Sequence, residues 1–211
     1  AGLAGVHALD GNVEFRADFD RADLGDLEIN TDVSGGQITV LGTVNASDNI
    51  SMTTHGDDDT ITLSGIVDAG GNFTLNTGDD ADIVVIDGTI LSGVNVAINT
   101  GGGADILTVS NQINAGNNAS VNTGAQADSV SISGILSAVA ALDLATGDGD
   151  DTVDISGVAI AGGAASVNLG ADEDRLVIGG TLEAGTTLTI DSGTVRDFVT
   201  VTGDLVAGQS V

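Results

Sequence analysis

The chain has 211 residues, of which 31 are Asp or Glu and four are Arg or Lys, so its formal net charge is −27. A surface this acidic repels nucleic-acid phosphates and anionic lipids, which excludes both as partners. The absence of Cys excludes disulfides and thiolate metal sites, and no apolar run approaches the ~18 residues of a membrane span. With 32 Gly and four Phe as the only aromatic residues, any core must be built from Val, Ile, Leu and Ala.

Residues 1–29 are predicted to form a degenerate N-terminal coil or cap for the repeats that follow. Leu27 and Ile29 match the apolar positions that close each later repeat, and Phe15 and Ala17 are expected to fill positions 9 and 11 of this first coil. A weakened, more polar terminal unit is typical of a cap on a repeat protein. The same segment is also compatible with a divergent internal coil of a longer protein.

Residues 30–211 contain a 23-residue repeat that continues without an insertion. Its eight units begin at Asn30, Thr53, Asn76, Asn99, Asn122, Ala145, Asn168 and Asp191. Positions within a unit are numbered here from 1. A constant period of this length is typical of stacked repeat architectures, and a β-sandwich would not keep one register through eight units.

The apolar positions of each unit predict three short strands. Positions 9 and 11, 15 and 17, and 21 and 23 are apolar, and this alternation is the period of a strand with every second side chain turned inward. Gly-rich corners fall at position 13, near position 18 and within positions 3–7. The pattern therefore predicts an all-β protein, a parallel β-solenoid (three-sided β-helix) of eight 23-residue coils.

An acidic turn recurs once in every coil. Position 7 is Asp59, Asp82, Asp105, Asp128, Asp151, Asp174 and Asp197, and only Gly36 departs. Coils stack about 4.8 Å apart, so these residues are expected to form a ladder. Two bare charges at that spacing repel by about 3–4 kcal/mol at an effective dielectric constant of 20. Either backbone N–H groups cap each carboxylate, or a cation lies between the rungs.

Two of these turns carry a recognisable motif. TGDGDDTV at 146–153 and TGGGADIL at 100–107 resemble the G-G-x-G-x-D-x-U-x calcium repeat of RTX proteins. That resemblance implies that turn carbonyls and Asp105 or Asp151 bind Ca²⁺ between rungs. The whole of 30–211 resembles repetitive bacterial surface β-solenoids, namely giant adhesins and autotransporter passengers. This wider resemblance implies an extracellular location on the bacterial cell surface.

The charge distribution selects candidate Ca²⁺ ligands at two dense junctions. The first junction offers Asp57, Asp58, Asp59, Asp79, Asp80 and Asp82, and the second offers Asp148, Asp150, Asp151, Asp172 and Asp174. Asp105, in a turn with one carboxylate, is added as a candidate through the RTX resemblance alone. Carboxylate oxygens are the ligands that Ca²⁺ prefers. The alternative is a set of solvated turns whose carboxylates are capped by the backbone.

Catalysis is not expected. Besides the acids, the ionisable side chains are His7, His55, Arg16, Arg21, Arg175 and Arg196. Asp150 and Asp151 could imitate a glycosidase pair, but they belong to a turn repeated along the chain, which favours a structural role. The repeated Asn at position 1 is expected to form a stacked amide ladder.

These observations favour a non-enzymatic extracellular rod, either an adhesin stalk or a subunit of a surface filament or layer. Its expected partner is itself, end to end through the open solenoid ends, or further coils of a longer chain. A calcium-dependent carbohydrate- or surface-binding module that takes a surface glycan is a first alternative. A solenoid polysaccharide lyase or hydrolase is a second.

Overall fold

The structure is a computed structural model that describes residues 4–8, 11–16, 19–21, 25–31 and 35–208. The chain winds into stacked coils, and each coil contributes one strand to each of three parallel sheets of nine strands. No described residue is helical, and none therefore forms a helix that could span a membrane. The predicted all-β parallel solenoid is confirmed.

The first sheet contains the strands that close each repeat. It consists of β1 (Ala4–Ala8), β4 (Leu27–Thr31), β7 (Ile50–Thr53), β10 (Phe73–Asp79), β13 (Val96–Gly102), β16 (Ala119–Asn122), β19 (Leu142–Ala145), β22 (Ala165–Asn168) and β25 (Leu188–Asp191). The second sheet follows the acidic turn. It consists of β2 (Asn12–Phe15), β5 (Gln37–Val40), β8 (Thr60–Leu63), β11 (Ile83–Ile86), β14 (Ile106–Val109), β17 (Ser129–Ile132), β20 (Thr152–Ile155), β23 (Arg175–Ile178) and β26 (Phe198–Val201).

The third sheet completes each coil. It consists of β3 (Phe19–Arg21), β6 (Thr43–Ala46), β9 (Ile66–Ala69), β12 (Thr89–Ser92), β15 (Gln112–Ala115), β18 (Ile135–Ala138), β21 (Val158–Ala161), β24 (Thr181–Ala184) and β27 (Asp204–Ala207). From β4 onward each residue pairs with the residue 23 positions away, as Ile83 does with Ile106. Like positions therefore stack on like positions along the axis.

The core is the column enclosed by the three sheets. Inward positions 9, 11, 15, 17, 21 and 23 of the first full coil are Ile38, Val40, Val44, Ala46, Ile50 and Met52, and all are buried. Ser92 replaces the usual Ala at position 17, and its hydroxyl lies 2.8 Å from the carbonyl oxygens of Gly71 and Asn95, either of which can accept its proton. A polar atom in this core is thus tolerated because it is hydrogen-bonded.

The N-terminal coil departs from the predicted register. Val13 pairs with Ile38 and Phe15 pairs with Val40, so Phe15 lies at position 11 and the prediction of position 9 is wrong. Ala17, predicted at position 11, lies outside the described residues. Leu27 pairs with Ile50, as predicted for position 21.

Corner lengths explain this shift. Three residues separate β1 from β2, whereas five separate β4 from β5. The third corner compensates, because five residues separate β3 from β4 and three separate β6 from β7. The coil therefore keeps 23 residues in total, from Ala4 to its partner Leu27, while the strands between its corners move by two.

The C-terminal coil is paired on one side only in the described structure. Its inward side chains Val199, Val201 and Leu205 are 46%, 41% and 43% exposed, although their counterparts one coil earlier are buried. The strands β25, β26 and β27 are each the last of their sheet. This end therefore presents three strand edges around an apolar centre.

Candidate functional site

The position-7 aspartates form a buried ladder inside the wall of the solenoid. Asp59, Asp82, Asp105, Asp128, Asp151 and Asp174 are each at most 3% exposed. In the acidic turn that carries them, the backbone at position 5 has the left-handed conformation. Asp57, Asp80, Gln126 and Asp172 occupy that position with φ of 78°, 76°, 77° and 82°, and Gly occupies it in the two coils between.

Backbone N–H groups cap the ladder from one coil to the next. The N–H of Asp82 donates to Oδ1 of Asp105, and the N–H of Asp105 donates to Oδ1 of Asp128, both at 2.8 Å. The same bond recurs at every step from Gly36 to Asp197. Of the two possibilities left open by the sequence, backbone capping is present at each rung.

A steric contact explains why Gly36 is the exception. A Cβ at Gly36 would lie 2.3 Å from Oγ1 of Thr31, far inside van der Waals contact. An Asp side chain at this position would therefore displace a buried hydroxyl.

A second buried ladder, of threonine hydroxyls at position 2, lies beside the aspartates. The Thr77 hydroxyl donates to the carbonyl of Thr100 at 2.9 Å, and the same bond links the other coils from Thr54 to Leu169. The recurrence of Thr at position 2 in six units was the sequence signal for this ladder. Sequence reasoning missed it because position 2 falls beyond the apolar alternation.

The second oxygen of each ladder carboxyl is enclosed without a donor. Oδ2 has no hydrogen-bond partner in Asp59, Asp82, Asp105, Asp128, Asp151 and Asp174. In the coils of Asp59 to Asp151 the adjacent threonine hydroxyls donate to carbonyls of the next coil, and in the coil of Asp174 this position is Leu169. A buried ionised oxygen in this state is costly, because water is removed and nothing replaces it.

Burial accordingly shifts the ladder toward its neutral form. Loss of solvation raises the pKa of Asp82 and of Asp128 from 3.8 to about 6, although the neighbouring threonine and the capping N–H oppose the shift. The carboxyls one coil away raise these pKa values further. Burial also raises the pKa of Asp59, Asp105 and Asp151.

The other candidate ligands lie outside the wall. At the first junction Asp57, Asp58, Asp79 and Asp80 are exposed. Their carboxylates cap turns as well: the N–H of Asp57 donates to Oδ2 of Asp80, and the N–H of Ala81 donates to Oδ1 of Asp58, both at 3.1 Å. The structure thus separates the predicted ligands into an enclosed ladder and an exposed rim.

The second junction has the same arrangement. Asp148, Asp150 and Asp172 are exposed, and the N–H of Glu173 donates to Oδ1 of Asp150 at 3.0 Å. Arg196 forms an exposed ion pair with Glu173 over 3.6 Å. Across the described ranges, no three Asp, Glu or His side chains converge as a metal site would require. Ca²⁺ binding at these turns stays a prediction.

Asparagine ladders reinforce the first sheet from outside. The predicted ladder at position 1 is present, since Nδ2 of Asn99 donates to Oδ1 of Asn76 at 2.8 Å and Asn122 repeats the bond. A second ladder, at position 20, links Asn49, Asn72, Asn95 and Asn118. Here each Oδ1 accepts from the following coil, opposite in direction to the aspartate ladder.

One shallow groove crosses four coils of the third sheet, with Asp68, Leu91, Asn114 and Ser137 along its floor. Asp68 is the one charged residue of its lining, which includes no aromatic side chain. His55 is exposed at its turn, and its Nε2 lies 3.1 Å from Oδ1 of Asn30.

The fold and the ladders together define a parallel β-solenoid with internally bonded coils. No family model matches the chain, and neither the curated proteins nor the solved structures contain a significant match.

Proposed function

We propose that the protein is a non-enzymatic structural rod of the bacterial cell surface or extracellular space, serving as an adhesin stalk or as a subunit of a surface filament or layer. The observation that carries this proposal is the use of polar side chains. The hydrogen bonds of the Asp, Thr and Asn ladders join successive coils of the same chain, as is required of an element that transmits load.

Dimensions support the same function. Nine strands per sheet at a spacing of about 4.8 Å give a rod roughly 40 Å long. The rod has no hinge in its described part, because each coil from Asn30 onward repeats the register of the one before. Such a shape suits a spacer or a filament segment better than a pocketed binding module.

We propose that the rod extends by stacking on the C-terminal coil. The exposed inward residues Val199, Val201 and Leu205 need a covering coil, and the edges of β25, β26 and β27 offer unpaired backbone groups. In this proposal a second copy of the chain supplies the covering coil. Head-to-tail contact of this kind does not close, so it produces filaments.

The test combines electron microscopy with sedimentation over a range of protein concentrations. Wild-type protein is expected to form end-to-end rods whose length grows with concentration. Val201→Asp should abolish this growth because it places a charge in the apolar centre of the end coil. Thr200→Asp adds the same charge on the outer face and serves as the matched control. A wild-type protein that stays monomeric at every concentration would contradict self-assembly through this end.

A further inference from the structure

Asp105 and Asp128 are the two rungs of the ladder whose own turns and flanking strands carry no other charge. Their turns, 99–105 and 122–128, contain no other ionisable residue. The strands that flank these turns, β13, β14, β16 and β17, also carry no ionisable side chain. Both aspartates are buried, at 1% and 3% exposure.

The hydrogen bonds around Asp128 leave one atom without a donor. Its Oδ1 accepts the N–H of Asp105 at 2.8 Å, and its Oδ2 is enclosed without a partner. The neighbouring Thr123 hydroxyl donates to the carbonyl of Thr146 over a long 3.4 Å and is also within hydrogen-bond reach of the Asp128 carboxyl. While its proton is on that carbonyl, its oxygen can accept a hydrogen bond from Asp128. Asp105 repeats this arrangement with Thr100, whose hydroxyl donates to Thr123.

The charges that face these two groups are all negative. Along the ladder they are Asp82, Asp105, Asp128 and Asp151. The turn before Asp105 adds the exposed Asp79 and Asp80, and the turn after Asp128 adds the exposed Asp148 and Asp150. The strands that follow contribute Asp143 and Asp154 at outward positions. No cationic side chain of the described structure forms an ion pair with either rung, so no opposite charge there offsets an ionised carboxylate.

We propose that Asp105 and Asp128 are neutral carboxylic acids in the folded rod, with Oδ2–H donating to the threonine hydroxyl of the same turn. The proton completes the one missing hydrogen bond and removes the repulsion between rungs. In mildly acidic solution the folded rod holds this proton, and on unfolding each carboxyl enters water and releases it to solvent. The ladder is thereby a device that strengthens the rod in mild acid and loosens it in alkali.

The direction of the pH effect follows from linkage. Burial raises the pKa of Asp128 from 3.8 to about 6, and raises the pKa of Asp105 as well. The folded state therefore binds protons more tightly than the unfolded chain does. The stabilising contribution is complete below the unfolded pKa and is lost as the pH rises through the folded one.

Asp128→Asn tests the proposal, because Asn keeps the Oδ1 acceptor and supplies an N–H donor for Thr123 without a proton from solution. Asp87→Asn, at an exposed position, removes one negative charge equally and serves as the matched control. We expect Asp128→Asn to melt a few degrees above the control at about pH 7.5, and this difference to shrink toward about pH 5. An Asp128→Asn variant that melts at or below the control at pH 7.5 would overturn the proposal.

Infrared spectroscopy of the wild type keeps the proposal testable if the variant does not fold. At about pH 5.5 exposed carboxyls are ionised, so a C=O band of protonated carboxylic acid reports the ladder. We expect this band in the folded protein and its loss on thermal unfolding at the same pH. A folded spectrum without the band at that pH would refute the neutral ladder.

Discussion

The backbone N–H of Asp105 donates to Oδ1 of Asp128, which lies one coil further along the chain. The side chain of one repeat therefore stabilises the turn of the repeat before it. Replacing one of these aspartates should therefore destabilise the preceding coil and not only the coil that carries the substitution.

Asp128→Ala should weaken the turn at Asp105. The substitution leaves that buried N–H without its acceptor, which costs about 1–3 kcal/mol. Amide hydrogen exchange measured residue by residue should show faster exchange at Asp105 than in the wild type. Asp87→Ala, at an exposed position, is the control and should leave this amide protected. Unchanged exchange at Asp105 in Asp128→Ala would mean that the cap contributes nothing.

Ile132→Asp should unfold the coils around it. Ile132 is 1% exposed at position 11, and an unpaired charge there has no partner in the apolar column. We expect a loss of more than about 4 kcal/mol in urea unfolding. Ser131→Asp places the same charge on the outward face next to it and should change stability little. Equal effects of the two variants would contradict the inward register.

Gly124→Ala should destabilise the acidic turn, whereas Gly102→Ala should be tolerated. Gly124 has φ of +106°, and a Cβ there would lie 1.5 Å from the carbonyl oxygen of Gly101. A Cβ on Gly102 meets nothing closer than 3.6 Å. Thermal melting of the two variants compares one methyl group at two positions in adjacent coils. A Gly124→Ala protein as stable as Gly102→Ala would show that the coils can separate at this turn.

Ca²⁺ is predicted to bind at the exposed rim of the two acidic junctions and to raise the melting temperature. A ligand at 100 times its dissociation constant stabilises the folded state by about 2.7 kcal/mol. The measurement compares melting in millimolar Ca²⁺ and in chelator. The double variant Asp57→Asn with Asp80→Asn should lose much of the shift, whereas Asp87→Asn should retain it. Identical melting curves with and without Ca²⁺ would exclude a stabilising site.

The fold of 30–211 could be predicted because a single period of 23 residues sets the register of all three sheets. The N-terminal coil could not, since its two unequal corners compensate each other and leave the total length unchanged. Phe15 consequently lies two positions from its predicted place in the repeat, whereas Leu27 lies at its predicted position. A period detects the length of a coil but not how its corners divide that length.

The acidic turns were predicted as a ladder with either capping or cations. Their burial was not foreseen, because aspartate in a Gly-rich turn is usually solvated. The signal that could have revealed it is the joint recurrence of Thr at position 2 and Asp at position 7, as in Thr123 and Asp128. Two polar residue types that recur in most units while their neighbours vary indicate a shared enclosed environment.

The ladders also determine how such a rod can change in length. The aspartate bonds point toward the preceding coil and the asparagine bonds toward the following one. The junctions between the four coils that begin at Asn30, Thr53, Asn76 and Asn99 therefore share one pattern of donors and acceptors. Removing residues 99–121 would bring the turn of Asp82 against that of Asp128, with equivalent partners in place. Gain or loss of whole repeats is therefore nearly neutral in bonding, and the reach of the molecule can evolve in steps of about 4.8 Å.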